Sequence, residues 1–315
     1  MRIDIQTTVN LLKEKDNILI ICHESPDGDT TGSGFGLAHA LRFLGKTVGV
    51  ICSDEFPKNC KQISESMVFK PFKEEFVVAV DIADASLIGT TLADYRDKVD
   101  LCIDHHVSNK NFAKALLLDA KAAATAELMA DVITGLGVPL SKNIANCLYT
   151  GISTDTGCFR YTNTTAHTHL TAAKLIEAGA DHAEINRTMF ETKSRSRVEI
   201  EKQVYNKLEY FFDQRCAMVC ITNEMLEAVG ITNEELEGIT SLPRQIEGVE
   251  VGITIRERND NSEYKISVRT NSYMNASTLC SKLGGGGHAK AAGCTVLGTL
   301  EEAKNQILAA VAEQI

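Results

Sequence analysis

Residues 17–34 read NILIICHESPDGDTTGSG and place an apolar run directly before a polar, glycine-containing segment. Residues 17–22 are typical of a buried β-strand, and the apolar spacing over residues 31–44 predicts a helix that ends at Gly45. A buried strand followed at once by a helix is the repeating unit of parallel sheets that carry helices on both faces. This stretch therefore predicts an α/β fold.

The alternation of strand and helix continues through the first half of the chain. The further predicted strands cover residues 47–52, 76–81, 99–104 and 116–118, and the predicted helices cover residues 122–136 and 141–152. This order favours one parallel sheet with helices on both sides. In such sheets ligands bind at the carboxyl ends of the strands.

The second half predicts a smaller α/β domain with a mixed sheet. Its predicted strands cover residues 217–221, 249–256 and 264–269, and its predicted helices cover residues 223–229, 233–241 and 301–315. Residues 166–210 are rich in helix formers and charge and show no strand pattern. We expect a first domain over residues 1–187, a helical linker over residues 188–210 and a second domain over residues 211–315.

Composition restricts the cellular setting and the substrate. The 315 residues carry a net charge of −10, from 32 basic and 42 acidic side chains. A long nucleic acid needs an extended basic surface, so we expect no long duplex partner. No apolar run is long enough to predict a membrane span, and the polar start is unlike a secretory signal. Ten scattered cysteines without a C-x-x-C pair favour a reduced, cytoplasmic protein.

Acidic and imidazole side chains cluster at the ends of the predicted strands. Three of them follow the first run on what we predict to be a loop, and the runs at 76–81 and 99–104 each end in an aspartate. A lone buried carboxylate is costly at such a position, so these side chains are expected to share a cation. The expected cluster consists of His23, Asp27, Asp29, Asp81, Asp104, His105, His106 and Asp155.

The donor types indicate which metal such a cluster would take. Carboxylate oxygens and imidazoles without thiolate favour Mn²⁺ or Mg²⁺, with Fe²⁺, Co²⁺ or Zn²⁺ as alternatives. The carboxylates are too many for one ion, which favours two ions about 3.5–4 Å apart that share a carboxylate. Such a pair stabilises a phosphoryl transition state and makes hydroxide available near neutral pH.

A second feature is the glycine run GGGGHAKAAG at residues 284–293. Consecutive glycines let backbone N–H groups approach an anion closely. Residues 264–298 contain no acidic side chain and four basic ones, Lys265, Arg269, Lys282 and Lys290. We therefore expect a phosphate or carboxylate site here, and a helix that begins within residues 289–292 and faces the same anion.

Five ordered motifs resemble the DHH phosphoesterase family with its DHH-associated C-terminal domain. They are H-x-x-x-D-x-D at residues 23–29, V-D at 80–81, D-H-H at 104–106, S-T-D-T-G at 153–157 and GGGH at 285–288. The resemblance covers nearly the whole chain and is greatest for the nanoRNase and pAp phosphatase branch. It implies two divalent metal ions and an active site in the cleft between two domains.

The resemblance also implies a role for each motif residue. In chain order, the implied metal ligands are His23, Asp27, Asp29, Asp81, His105 and Asp155. Asp81 would bridge both ions. His23 and Asp27 would be the further ligands of one ion, and the remaining three residues would be the further ligands of the other. His106 would face the scissile phosphate as a catalytic residue, with Asp104 orienting the histidines. The implied substrate-binding residues are Arg269, Gly285, Gly286, Gly287 and His288.

The function implied is hydrolysis of short oligoribonucleotides to mononucleotides and of pAp to AMP. A soluble phosphodiesterase of cyclic or linear dinucleotides, such as c-di-AMP or pApA, uses the same motifs and stays open. A RecJ-like exonuclease and a non-catalytic nucleotide sensor are further alternatives, and a homodimer stays open. Phe159 and Tyr161 are candidates for base stacking, although packing is the interpretation we favour for both.

Overall fold

The computed structural model describes residues 1–231, 236, 238–258 and 262–315, and it divides into two compact units, Met1–Thr192 and Lys193–Ile315. Each unit has its own sheet and its own hydrophobic core. The three-part division at residues 187 and 210 stays a prediction. None of the described helices is both long and apolar enough to cross a bilayer.

The first unit contains the predicted parallel sheet, which is confirmed. Its five strands are β1 (Ile18–Cys22), β2 (Val48–Ile51), β3 (Phe76–Val80), β4 (Leu101–Asp104) and β5 (Ala115–Leu118). They lie in the order β2-β1-β3-β4-β5, and every neighbouring pair is parallel. Ile20 and Val78 face one hydrophobic cluster, whereas Ile21 and Ala79 face another. Burial on both faces explains why these strands are continuously apolar.

Helices cover the sheet of the first unit. They are α1 (Ile5–Glu14), α2 (Gly28–Phe43), α3 (Lys61–Ser64), α4 (Thr125–Leu136), α5 (Lys142–Asp155), α6 (Ala166–Glu177) and α7 (His182–Asn186), followed by a π-helical turn, Arg187–Glu191. Helix α2 begins three residues earlier than the sequence pattern predicts. Asp27 caps it by accepting hydrogen bonds from the backbone N–H groups of Asp29 and Thr30. Asp29 therefore lies in the first helical turn and not on a loop.

Helices α2 and α5 approach each other at a glycine. A Cβ added to Gly32 would lie 2.2 Å from the carbonyl oxygen of Cys147. The contact is between main-chain atoms, which cannot move aside without displacing a helix. The packing of these two helices therefore requires the absence of a side chain at position 32.

This close approach leads to a prediction about stability. Alanine normally stabilises a helix by about 1 kcal/mol relative to glycine. We expect Gly32→Ala instead to lower the free energy of unfolding by about 2–3 kcal/mol, because overpacking displaces main chain. Gly135→Ala in α4 is the matched control, since its added Cβ would meet side-chain atoms of Val9, the nearest a methyl group at 2.8 Å, and no main-chain atom. Calorimetry on both variants tests this, and equal melting temperatures would contradict it.

The second unit has a mixed sheet, as predicted. Its strands are β6 (Glu209–Phe211), β7 (Cys216–Ile221), β8 (Val251–Glu257), β9 (Glu263–Thr270), β10 (Gly286–His288) and β11 (Ala291–Leu297). They lie in the order β10-β11-β9-β8-β7-β6, with β7 and β8 parallel and the other pairs antiparallel. Its helices are α8 (Arg195–Asn206), α9 (Asn223–Val229), α10 (Ala276–Ser281) and α11 (Leu300–Ala312). Helix α8 lies in the stretch expected to be helical.

The second unit differs from the sequence-based expectations at two predicted helices. The prediction of a helix that begins within residues 289–292 is wrong, because Ala291 begins strand β11. This strand pairs with β9 from Ala291↔Arg269 to Leu297↔Glu263. Alternate burial of Ala292, Cys294 and Val296 against the core stabilises the strand. Much of the helix expected over residues 233–241 lies outside the described residues, and Ile239–Ser241 form a 3-10 turn.

Candidate metal centre

Seven acidic and imidazole side chains meet where β1, β3 and β4 end and where α2 and α5 begin or end. They form three overlapping groups, and within each group one ligand atom from each residue lies within 4.8 Å of the others. The groups are Asp81, His105 and His106; His23, Asp27 and Asp81; and Asp29, His105 and Asp155. Asp155 is the last residue of α5 rather than part of a following turn. Among the described residues, Asp104 is the one member of the expected cluster outside these groups.

Asp81 is at the centre of this cluster. It is 3% exposed, and its φ of 61° lies in the left-handed region that costs a non-glycine residue about 1–3 kcal/mol. Its N–H donates to the carbonyl of Ile103 at 2.9 Å, and Thr125 Oγ1 donates to its Oδ1 at 2.8 Å. Its Oδ2 lies 3.7 Å from His23 Nε2 and its Oδ1 lies 3.7 Å from His105 Nε2. The two oxygens thus face different histidines, as a bridging carboxylate requires.

Hydrogen bonds fix the orientation of the two histidines that face Asp81. His23 Nδ1 donates to the carbonyl of Glu24 at 2.8 Å, and His105 Nδ1 donates to the carbonyl of Ala122 at 3.2 Å. A carbonyl only accepts, so each neutral ring presents an Nε2 lone pair to the carboxylates. His105 Nε2 lies 3.2 Å from an Asp155 oxygen. Lone pairs that face each other in this way fit a cation between them.

The charges of the cluster shift the pKa values of its members. Burial lowers the pKa of His23, but the carboxylates of Asp27 and Asp81 outweigh burial and raise this pKa to about 11, so Nε2 carries a proton until a bound cation displaces it and leaves the ring neutral. Burial, with the charge of Asp81, raises the pKa of Asp155 to about 7, and the same causes raise that of Asp29 well above its usual value. The cluster holds more negative charge than it can stabilise alone, so it attracts cations.

Asp29 also has a structural role that the sequence does not reveal. It is fully buried, and its Oδ2 and Oδ1 accept hydrogen bonds from the backbone N–H groups of Thr125 and Ala126 at 2.7 and 2.9 Å. Thr125 begins α4, so Asp29 satisfies the free N–H groups at that helix terminus. Its Oδ2 still lies 3.9 Å from His105 Nε2. One carboxylate thus links α2, α4 and the cluster.

Asp104 orients His106 by a hydrogen bond, and both of its carboxylate oxygens accept hydrogen bonds. It is fully buried, and its Oδ1 accepts from His106 Nδ1 at 2.7 Å and from the N–H of His105 at 2.9 Å. Its Oδ2 accepts from Asn109 Nδ2 at 2.6 Å. The hydrogen bond to Asp104 raises the pKa of His106 to about 9, although burial opposes this shift. Asn109 was not predicted as part of this network, because no spacing pattern distinguishes it from an ordinary turn residue.

The cysteines nearest in sequence to these groups are not candidates for metal ligands. Cys22 and Cys102 are fully buried within β1 and β4. Burial raises the pKa of both thiols, so they stay protonated. The donor set is therefore oxygen and imidazole, which suits Mn²⁺, Mg²⁺ or a similar divalent cation better than a thiolate-bound zinc.

The aromatic candidates lie near α5 and α6. Phe159 stacks on His169 with ring centroids 5.2 Å apart and packs against Tyr149 at 5.9 Å. Tyr161 is 53% exposed. Phe159 is therefore engaged in packing, as we favoured.

The substrate-binding residues expected from the sequence lie in the second unit. Strand β10 is an exposed edge strand of the described sheet, with one side paired to β11. In the register of the sheet, Arg269 pairs with Ala291, and Ala291 pairs with His288. Residues paired across strands share a face, so Arg269 and His288 lie on one face about 10 Å apart, with a small residue between them. Their binding roles stay a prediction.

Comparison with known proteins identifies the family of this chain. Residues 17–152 match the profile of the DHH family, N-terminal domain, and residues 219–315 match that of the DHHA1 domain. A Thermus thermophilus protein named bifunctional oligoribonuclease and PAP phosphatase NrnA is 33% identical over 95% of this chain and 90% of its own length. The chain belongs to the DHH family.

Other similarities of this DHH protein extend over both units. A Bacillus subtilis protein of the same name, NrnA, is 25% identical over 94% of the DHH chain and 93% of its own length. The crystal structure of an exopolyphosphatase-related protein from Bacteroides fragilis superposes with a TM-score of 0.86 at 26% identity, and covers 98% of this DHH chain and 96% of that one. The resemblance predicted from the five motifs is therefore confirmed.

Proposed function

We propose that this protein is a phosphoesterase that hydrolyses short oligoribonucleotides to mononucleotides and pAp to AMP. The observation that carries the proposal is Asp81, whose two oxygens face the lone pairs of two differently placed histidines. Such a centre suits two divalent cations, of which we favour Mn²⁺. The names of the Thermus thermophilus and Bacillus subtilis relatives support the choice of substrate.

Each residue of the cluster has a defined task in this proposal. Bound divalent ions would lower the pKa of a bound water and stabilise charge on the phosphate. Asp81 would hold both ions, with His23 and Asp27 completing one site and the remaining ligands the other. His106 would face the scissile phosphate through Nε2, since Asp104 occupies its Nδ1. In that position it can donate a proton to the leaving oxygen. The remaining ligands are Asp29, His105 and Asp155.

Charge supports a short substrate. The chain has a net charge of −10, whereas residues 264–298 contain four basic side chains and no acidic one. A local basic patch that includes Arg269 and His288 suits one or two phosphates rather than a long strand. None of the ten cysteines, all of which lie within the described residues, forms a disulfide bond, which suits a cytoplasmic enzyme.

A substrate panel tests the proposal. With Mn²⁺ present, we expect a diribonucleotide and pAp to turn over with kcat of about 1–10³ s⁻¹, and a long single-stranded RNA to be cleaved far more slowly. Products are followed by liquid chromatography, with pApA, c-di-AMP and pyrophosphate as further substrates. Rapid cleavage of the long RNA would overturn the short-substrate argument. Turnover of c-di-AMP or pApA alone would favour the dinucleotide phosphodiesterase, and nucleotide binding without turnover would favour a sensor.

A further inference from the structure

We propose that Arg244 and Arg269 together form a subsite for a phosphate monoester on one face of the second sheet. The inference rests on the proposed function, because it specifies which part of a short nucleotide substrate this unit would bind. Nothing in the sequence pattern points to Arg244, which lies in the 3-10 turn Pro243–Gln245.

The register of the sheet places the two arginines side by side. Gly252 of β8 pairs with Arg269 of β9. A Cβ added to Gly252 would lie 2.5 Å from the backbone nitrogen of Arg244 and 2.9 Å from its Cβ. The missing side chain at position 252 therefore leaves the space in which Arg244 lies against the sheet, next to Arg269.

Neither arginine has a carboxylate partner among the ion pairs of the described residues. Arg244 Nη1 donates to Asn271 Oδ1 at 3.3 Å, and its buried Nε has no hydrogen-bond partner in the part of the chain that the structure describes. Arg269 Nη1 donates to the neighbouring carbonyl of Val268 at 3.0 Å. Burial lowers the pKa of Arg269, and the charge of Arg244 lowers it further. Two adjacent, partly buried guanidinium groups without a counter-charge are unfavourable unless an anion binds between them.

The buried carboxylate of Glu250, two residues before Gly252, forms no ion pair with either arginine among the described residues. The Glu250 carboxylate accepts hydrogen bonds from the backbone N–H groups of Ser272, Tyr273 and Met274 at 2.8 to 3.0 Å, and from the Ser272 hydroxyl at 2.6 Å. Its function in the fold is to fix the loop that follows β9.

The same loop fixes Arg244 before any ligand binds. Asn271 Nδ2 donates to the carbonyls of Arg244 and Val249 at 2.8 and 2.7 Å, and the Asn271 N–H donates to the carbonyl of Glu250 at 3.0 Å. Lys290 Nζ donates to the carbonyl of Ser272 at 2.5 Å, which brings a third cation to this loop. Groups held in place beforehand lose little entropy on binding, so the subsite is preorganised.

The charge of the subsite selects the ligand class. Guanidinium groups pair well with phosphate oxygens through parallel N–H···O bonds. Two such groups match the double charge of a phosphate monoester better than the single charge of a phosphodiester. We therefore expect the subsite to bind the terminal phosphate of pAp or of a 5′-phosphorylated dinucleotide.

Calorimetric titration with AMP and with adenosine tests the subsite in the Mn²⁺-loaded protein. We expect Arg244→Gln to weaken AMP binding about 10- to 100-fold, the effect of losing a hydrogen bond to a charged group. Adenosine binding should not change. Lys202→Gln removes one exposed charge from helix α8, outside the acid-free stretch, and should leave both affinities unchanged. Arg244→Lys should lie between Arg244→Gln and the parent protein, because lysine keeps the charge but loses the fork.

A double variant decides whether the two arginines share one phosphate. If they do, Arg244→Gln should cost much less in an Arg269→Gln background than in the parent protein. Independent, fully additive losses, or an AMP affinity unchanged by Arg244→Gln, would overturn the subsite. A melting temperature of the Arg244→Gln protein equal to or above that of the parent shows that the fold is intact.

Kinetics on the parent protein separate this inference from the proposed function. If the parent protein hydrolyses neither pAp nor a diribonucleotide, the proposed function fails, while the titrations still decide the subsite. If it hydrolyses both, Arg244→Gln should raise KM for pAp and leave KM for an unphosphorylated diribonucleotide unchanged. An equal rise in KM for both substrates would overturn the assignment to a terminal phosphate.

Discussion

Replacing Asp81 with asparagine is expected to lower turnover by at least about 10³-fold and to reduce the bound divalent metal below two equivalents. The substitution keeps the shape of the side chain and removes the charge that faces both His23 and His105. Loss of several kcal/mol of charge stabilisation in the transition state corresponds to a factor of this size. Metal content by mass spectrometry and kcat on a diribonucleotide measure the two effects.

Two features make Asp81→Asn an informative variant. Asparagine tolerates the left-handed backbone found at this position, with φ of 61°, better than most residues, so the fold is expected to survive. Asp84→Asn is the matched control, because Asp84 lies three residues away, caps the turn Ala85–Ile88 and pairs with Lys110. That control should keep full metal content and turnover. An Asp81→Asn protein with two metal equivalents and parental kcat would refute the assignment of Asp81.

Asp104→Asn is expected to lower kcat by about 10²- to 10⁴-fold while leaving metal content unchanged. Three N–H groups, from His105, His106 and Asn109, point at the Asp104 carboxylate. The asparagine amide accepts hydrogen bonds only at its oxygen, whereas its nitrogen donates. The amide nitrogen would therefore face one of these three donors, or His106 would have to move its proton from Nδ1 to Nε2 to accept from it. A wrong histidine tautomer produces losses of this order in other hydrolases.

A second variant distinguishes positioning from simple structural damage at Asp104. In a His106→Gln background, Asp104→Asn should cause little further loss of kcat, because both changes remove the same proton donor. The parent and single variants are compared by metal content, kcat and melting temperature. An Asp104→Asn protein that has lost its metals, or that loses activity equally in both backgrounds, would show that Asp104 does not act through His106.

Local pattern was sufficient to predict the parallel sheet and the residues at its edge. Continuous apolar runs that end in aspartate, such as residues 76–81, reflect strands buried on both faces with polar groups at their carboxyl ends. Because His23, Asp81 and His105 each follow such a run, the sequence was enough to predict that they lie at the same edge of the sheet. Whether each of these residues binds metal stays a prediction.

Other features depend on contacts between distant parts of the chain. Asp29 accepts hydrogen bonds from residues 96 and 97 positions later, so its role at the start of α4 has no local signal. The alanines within residues 289–292 favour a helix locally, but pairing with β9 makes Ala291 the start of a strand. Arg244 became a candidate only once the sheet register placed Gly252 beside Arg269.

The close contact between α2 and α5 has a consequence for cation size. Asp29 lies one turn before Gly32 on α2, and Asp155 ends α5, four residues after Gly151. A Cβ added to Gly151 would lie 2.8 Å from Asp29 Oδ1, so the two helices are in close contact beside these two carboxylates. Main-chain dimensions do not vary with side-chain identity. We therefore expect the gap between the two carboxylates to discriminate among divalent ions by radius, however the surrounding core changes in sequence.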